Sequence, residues 1–117
     1  MSVDVWMQHP TRRFLSHEML EPLRRWGGGT IPEDEFSISV TLDAMEAAEV
    51  EFGLLSAWHA PYVGPLVSNQ EVSGWVGEHP DRFAGIAAVD LNRPMEAVRE
   101  LRHCVEELGF KGLRIVP

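Results

Sequence analysis

Four polar side chains stand where apolar runs end, and their types suit acid, base and anion-binding chemistry. His9 follows the run Val3 to Met7, His59 follows Phe52 to Trp58, and Asp90 closes Phe83 to Val89. Arg114 lies inside a fourth run, Gly112 to Val116. Two imidazoles can give and take a proton near neutral pH, and a carboxylate such as Asp90 can steer one of them or a substrate proton. Arg114 must carry its charge out of the core or pair it, and at a strand end its guanidinium can grip a substrate carboxylate through two parallel hydrogen bonds. Trp6 and Trp58 fall on neighbouring runs and could wall an aromatic pocket. Each residue also has a plain alternative. The histidines lie close to prolines and can serve as loop residues bonded to backbone, Asp90 can accept backbone bonds at a helix start, Arg114 can snorkel to solvent, and the tryptophans can fill core.

These positions share a site only if the runs are strands whose carboxyl ends meet. Phe83 to Val89 is too uniformly apolar for a strand with one wet face, so it reads as buried on both sides, as in parallel sheets covered by helices. Helical patterns alternate with the runs. Leu42, Met45 and Ala48 recur every three residues with Asp43, Glu46 and Glu49 between them. Ser68 with Glu71 predicts a capping box, followed by Val72, Trp75 and Val76 on one face and a helix to about Glu78. Pro94 suits a first helical position; Met95, Val98, Leu101, Val105 and Leu108 predict a buried stripe, and Gly109 a stop. Between the first run and the first of these helices, Thr11 to Ile38 is a long connection, with a short helix predicted from His17 to Arg25 and then Gly27-Gly28-Gly29. A connection of that length in a small domain is expected to be a lid or a mobile segment. The order is therefore one strand, a long loop, and helix then strand three times over. If the strands pair in sequence order, all the helices fall on one face and the other is bare. Reordering the strands or closing them into a barrel removes the bare face, and four strands cannot close such a barrel.

Composition narrows the function classes. The chain's 117 residues suit one domain; 18 acidic against 10 basic side chains give a net charge of −8, which argues against a nucleic-acid groove and an anionic membrane surface. No run approaches the eighteen apolar residues of a membrane span, and no secretory leader is read at the amino terminus, so a cytoplasmic location is expected. Cys104, the single cysteine, cannot form an internal disulfide and is expected to be buried filler.

Three stretches resemble a known family: Gly53-Leu54-Leu55-Ser56-Ala57, His79-Pro80-Asp81-Arg82-Phe83-Ala84-Gly85, and Leu108-Gly109-Phe110-Lys111-Gly112-Leu113-Arg114-Ile115. In this order they resemble the amidohydrolase-related family, which includes the aminocarboxymuconate-semialdehyde decarboxylases with related hydrolases and hydratases. The resemblance implies an α/β fold in which residues 1–117 form the amino-terminal half, about four βα units, of a (β/α)8 TIM barrel with parallel strands in sequential order. It leads us to expect either a piece of a longer chain or a half-barrel completed by a second copy. It also implies a divalent metal, commonly zinc, held in part by His-x-His at the end of strand one. With Asp4 aligned to the family's strand-one acid, those two places fall on Trp6 and Gln8. His9 is one place late, on the opposite strand face unless the strand has ended or bulged. A compromise site would use His9 and His59. The implied activity is metal-dependent hydrolysis or non-oxidative decarboxylation of a small carboxylate or cyclic compound, with His59 and Asp90 catalytic, Arg114, Trp6 and Trp58 binding substrate, and His9, or Gln8 at the usual ligand place, on the metal. The alternative is a non-catalytic half-barrel relative acting as a self-associating or interaction module, with a homodimer as one form it could take. An open, reordered α/β domain with a ligand at a switch point would lack its usual glycine motif here.

Overall fold

A computed structural model describes residues 1–116. In chain order the elements are β1 Val3–Met7, α1 Arg12–Ser16, a 3-10 turn Glu18–Leu20, α2 Glu21–Trp26, α3 Ile38–Ala47, β2 Phe52–Ser56, β3 Trp58–Ala60, β4 Gly64–Val67, α4 Asn69–Glu78, β5 Phe83–Ala88, α5 Pro94–Glu106 and β6 Gly112–Arg114. Four strands form one parallel sheet in the order β1-β2-β5-β6. This is the half-barrel sheet expected from the sequence, with its main strands in sequential order.

The small residues of β5 let helices and loops come close. Phe83 and Ala87 are buried with Leu55 of β2, Val72 of α4, Cys104 of α5 and Phe110 in one apolar cluster. Gly85 has no side chain because Phe110 is there: a Cβ on Gly85 would lie 2.6 Å from two atoms of that ring. On the other sheet face Val5, Trp6, Ser56, Ile86 and Arg114 line an open groove of about 300 Å³.

β1 carries an irregularity that sets which way its end residues point. Val3 and Asp4 pair with Phe52 and Gly53, but Met7 pairs with Leu55, so one extra residue is taken up between Asp4 and Met7. The Asp4 carboxylate accepts from the Trp6 backbone N–H at 2.9 Å and holds this bulge. Met7 then packs over Gly53 on the helix side. Trp6 and Gln8 fall on the groove side, and His9, alternating with Gln8, returns to the helices.

Three expectations need correction. The segment after β1 is not a loop with one helix from His17 to Arg25: α1, the 3-10 turn and α2 follow one another, because the Thr11 and His17 side chains cap successive starts and Pro22 suits only the first turn of a new helix. The second apolar run does not continue as one strand to Trp58. β2 stops at Ser56, and Trp58 begins the antiparallel hairpin β3–β4, whose tip has Tyr62 at φ 63° and Gly64 at φ 120°; Pro65 is tolerated because β4 is an edge strand. On α5 the buried side is Ala97, Leu101, Cys104 and Leu108, while Met95, Val98 and Val105 are exposed. A helix packed against alanine-rich β5 presents its smaller residues at the closest approach. The capping box of Ser68 and Glu71 and the Pro94 start of α5 form as expected.

Cys104 is fully buried, and burial, reinforced by the carboxylate of Glu100, pushes its thiol up to about 11. The thiolate is the reactive form. A disulfide reagent at pH 8 is therefore expected to leave Cys104 unmodified in the folded protein and to modify it on unfolding. Rapid labelling of the folded protein would contradict this burial.

Candidate functional site

The carboxyl ends of the strands gather two clusters that share Trp58. In the first, Arg114 reaches from β6 across the groove towards β1. Its guanidinium carbon lies 4.3 Å from the centre of the Trp6 ring and 4.0 Å from that of Trp58, and Nη1 donates to Gln8 Oε1 at 2.8 Å. A cation between two aromatic faces is held by their quadrupoles and loses rotamer freedom before any ligand arrives. Burial lowers the Arg114 pKa below its usual value, as desolvation does to any cation. Trp58 is fixed in turn by Phe14 of α1, whose ring centre is 4.9 Å away. Its indole N–H is buried without a protein partner. The structure thus brings the three expected substrate-binding residues together, although the facing sides of both tryptophans are occupied by Arg114.

In the second cluster, His59 Nε2 lies 3.9 Å from Asp90 Oδ2, both side chains partly exposed. The hairpin presents His59, and the turn after β5 presents Asp90. Asp90 Oδ1 also accepts from the Asn92 backbone N–H at 3.0 Å, so its turn-forming role and its position beside His59 coexist. His59 and Asp90 line two adjoining cavities of about 300 and 260 Å³. Trp58, Asn69 and Glu100 border the first; Tyr62, Ile115 and Val116 border the second.

Asn69 was not singled out from the sequence. Its amide donates to the Ala88 carbonyl and to Glu100 Oε1 and accepts from the Ala88 N–H, at 2.9 to 3.0 Å, clamping the end of β5 to the start of α4. The only sequence signal was an asparagine just after a helix cap. The excursion after β1 is tied to the same rim: Thr11 Oγ1 donates to the Leu66 carbonyl at 2.6 Å, and Arg13 pairs with Glu71.

His9 lies elsewhere. It is 1% exposed, packs edge-on against Trp75, and has both nitrogens engaged, with the Phe36 carbonyl at 2.9 Å from Nε2 and the Thr41 hydroxyl at 2.6 Å from Nδ1. A carbonyl can only accept, so Nε2 carries the proton and Nδ1 accepts from Thr41. The bulge in β1, between Asp4 and Met7, does not turn His9 towards the groove. Among the described residues no three His, Cys, Asp or Glu side chains are placed to hold a metal ion. Gln8 spends its oxygen on Arg114, Trp6 has no lone pair to offer, and His9 has none free. These residues do not fit a metal centre.

The fold matches that of known proteins. The amidohydrolase family pattern matches residues 40–117, and the chain belongs to that family. Over 45 residues, 38% of this chain and 14% of the relative, it is 47% identical to the gamma-resorcylate decarboxylase of Rhodococcus jostii (strain RHA1). Two solved structures share the fold. A 2,6-dihydroxybenzoate decarboxylase complexed with 2,6-dihydroxybenzoate superposes with a TM-score of 0.61 at 20% identity, over 96% of this chain and 38% of its own. A dihydroxybenzoic acid decarboxylase from Polaromonas sp. JS666, with bound manganese and the inhibitor 2-nitroresorcinol, gives 0.60 at 23% identity, over 96% and 37%. The chain spans well under half the length of these relatives. No helix among the described residues is long and apolar enough to cross a membrane.

Proposed function

We propose that residues 1–117 form the substrate-anchoring half of an amidohydrolase that hydrolyses or non-oxidatively decarboxylates a small carboxylate or cyclic compound. The observation that carries this reading is the Arg114 guanidinium, immobilised at the strand ends by Trp6, Trp58 and Gln8 with N–H groups to spare. A carboxylate meeting that edge is held by charge-assisted, paired hydrogen bonds. His59, beside Asp90, is the group we assign to proton transfer, which both reaction types require: to the carbon that loses CO2, or from the water that opens an ester or amide. A metal, zinc in our reading, would draw its ligands from outside the described residues. Residues 11–38 serve as the lid, tied to the rim through Thr11 and Arg13. The acidic composition and single unpaired cysteine support a cytoplasmic setting.

The test is incubation of the native gene product with 2,6-dihydroxybenzoate, other small aromatic acids and cyclic lactone carboxylates, with zinc or manganese added. Loss of the carboxyl group as CO2, or ring opening, is the expected result. No turnover across that panel would overturn the reading.

One observation favours a second reading. Among the described residues β1 and β6 are the outer strands of the sheet, and Val3, Val5, Trp6, Leu113 and Ile115 expose apolar surface along those edges. Unpaired apolar edges are sites for strand addition. A non-catalytic half-barrel would cover them with a second copy, and light scattering would then give twice the mass of one gene product; a monomer at micromolar concentration would exclude this form.

A further inference from the structure

The rim of β1 does more than fail to fit a metal. Its two groove-facing side chains, Trp6 and Gln8, are both committed to a cation that the chain itself supplies, one through its ring face and the other through its amide oxygen. Trp58 closes the other side. A guanidinium lying over two aromatic rings presents its N–H groups in its own plane, so an anion meets it edge-on, between the rings. Nη1 already spends one hydrogen on Gln8; the remaining donors of the fork are left for two carboxylate oxygens. A second cation brought to the same rim would be repelled by Arg114; Trp6 offers it no lone pair, both His9 nitrogens are engaged on the helix side, and the Gln8 oxygen already accepts from Arg114.

We propose that at this rim the Arg114 guanidinium takes the place of a divalent ion as the positive charge that receives a carboxylate, so that anion binding here does not depend on metal. The inference rests on the carboxylate-anchoring reading above and deepens it by assigning the charge. Gln8 and Trp6 are positioning residues, acting through Arg114.

The test uses the native gene product stripped with EDTA and then titrated calorimetrically with benzoate, with benzamide as the neutral control. The titration is repeated after dialysis against zinc or manganese. Benzoate affinity within about twofold between the stripped and metal-treated samples, with benzamide not bound, is the expected result. Arg114→Gln should weaken benzoate binding at least about tenfold in both samples, the scale expected of a charge-assisted pair. Arg114→Lys should recover only part of it, since an ammonium lacks the planar fork. Circular dichroism melts of both variants separate lost binding from lost folding. A melt matching the parent makes the affinity change attributable to the site, and the EDTA comparison on the parent decides the question even if a variant fails to fold. Benzoate binding that appears only with metal, or metal content that falls in Gln8→Ala, would overturn this inference and leave the carboxylate-anchoring reading standing. No benzoate binding under either condition would overturn both.

Discussion

His59→Gln is expected to slow turnover by the native gene product on the order of 10²- to 10⁴-fold while leaving carboxylate affinity within about twofold, the range typical of a lost general acid or base. Glutamine keeps much of the size and polarity of the imidazole but cannot exchange a proton near neutral pH. His59 lies at the junction of the two cavities, 3.9 Å from the Asp90 carboxylate, and Arg114 is held by other residues, so the proposed binding and proton-transfer roles fall to different side chains. Asp90→Asn should have a smaller effect on rate, because in the proposed mechanism Asp90 acts through His59, and its Asn92 contact can be kept by the amide oxygen. Initial rates over a substrate series give kcat and KM separately. A fall in affinity with unchanged kcat would move His59 from proton transfer to binding and sink this assignment.

Phe110→Ala is expected to cost about 3–5 kcal/mol of folding stability, the usual penalty for emptying an aromatic core site. The ring is buried and lies over the bare backbone of Gly85, where β5 can offer no side chain to fill the space it leaves. Gly85→Ala attacks the same contact from the other side: its Cβ would sit 2.6 Å from the ring, and overpacking of this kind costs about 1–3 kcal/mol. Urea melts of the two single variants and the double variant should be non-additive, since an alanine at 85 enters the space vacated at 110. Additive losses would show that the two residues do not share one packing contact.

The sheet was legible in the sequence where burial left a one-dimensional trace. Phe83 to Val89 is apolar because β5 lies buried along nearly all its length, with Ile86 alone partly exposed to the groove within the strand, and Ser68 with Glu71 marks the start of α4 through a local reciprocal bond. What escaped was set by non-local geometry. The hairpin at Trp58 breaks an apolar run that periodicity alone cannot divide. The inward face of α5 follows from how closely it approaches β5 and not from which of its residues are largest. At the site, residue type suggested His59, Asp90 and Arg114, whereas the joining of Arg114 to Gln8 spans 106 positions and leaves no local signature. The Asn69 clamp is equally silent, since an asparagine after a serine cap reads as an ordinary helix start.

The extra residue in β1 has an evolutionary consequence. It fixes the phase of the strand end, so positions 6 and 8 address the groove and position 9 does not. No change of rotamer can recruit His9 to that rim; an imidazole could reach it by substitution at 6 or 8, and each such substitution removes a residue that now holds Arg114 in place. A lineage passing between an arginine-based and a metal-based rim would therefore have to loosen the first before it could assemble the second, with an intermediate that serves neither well.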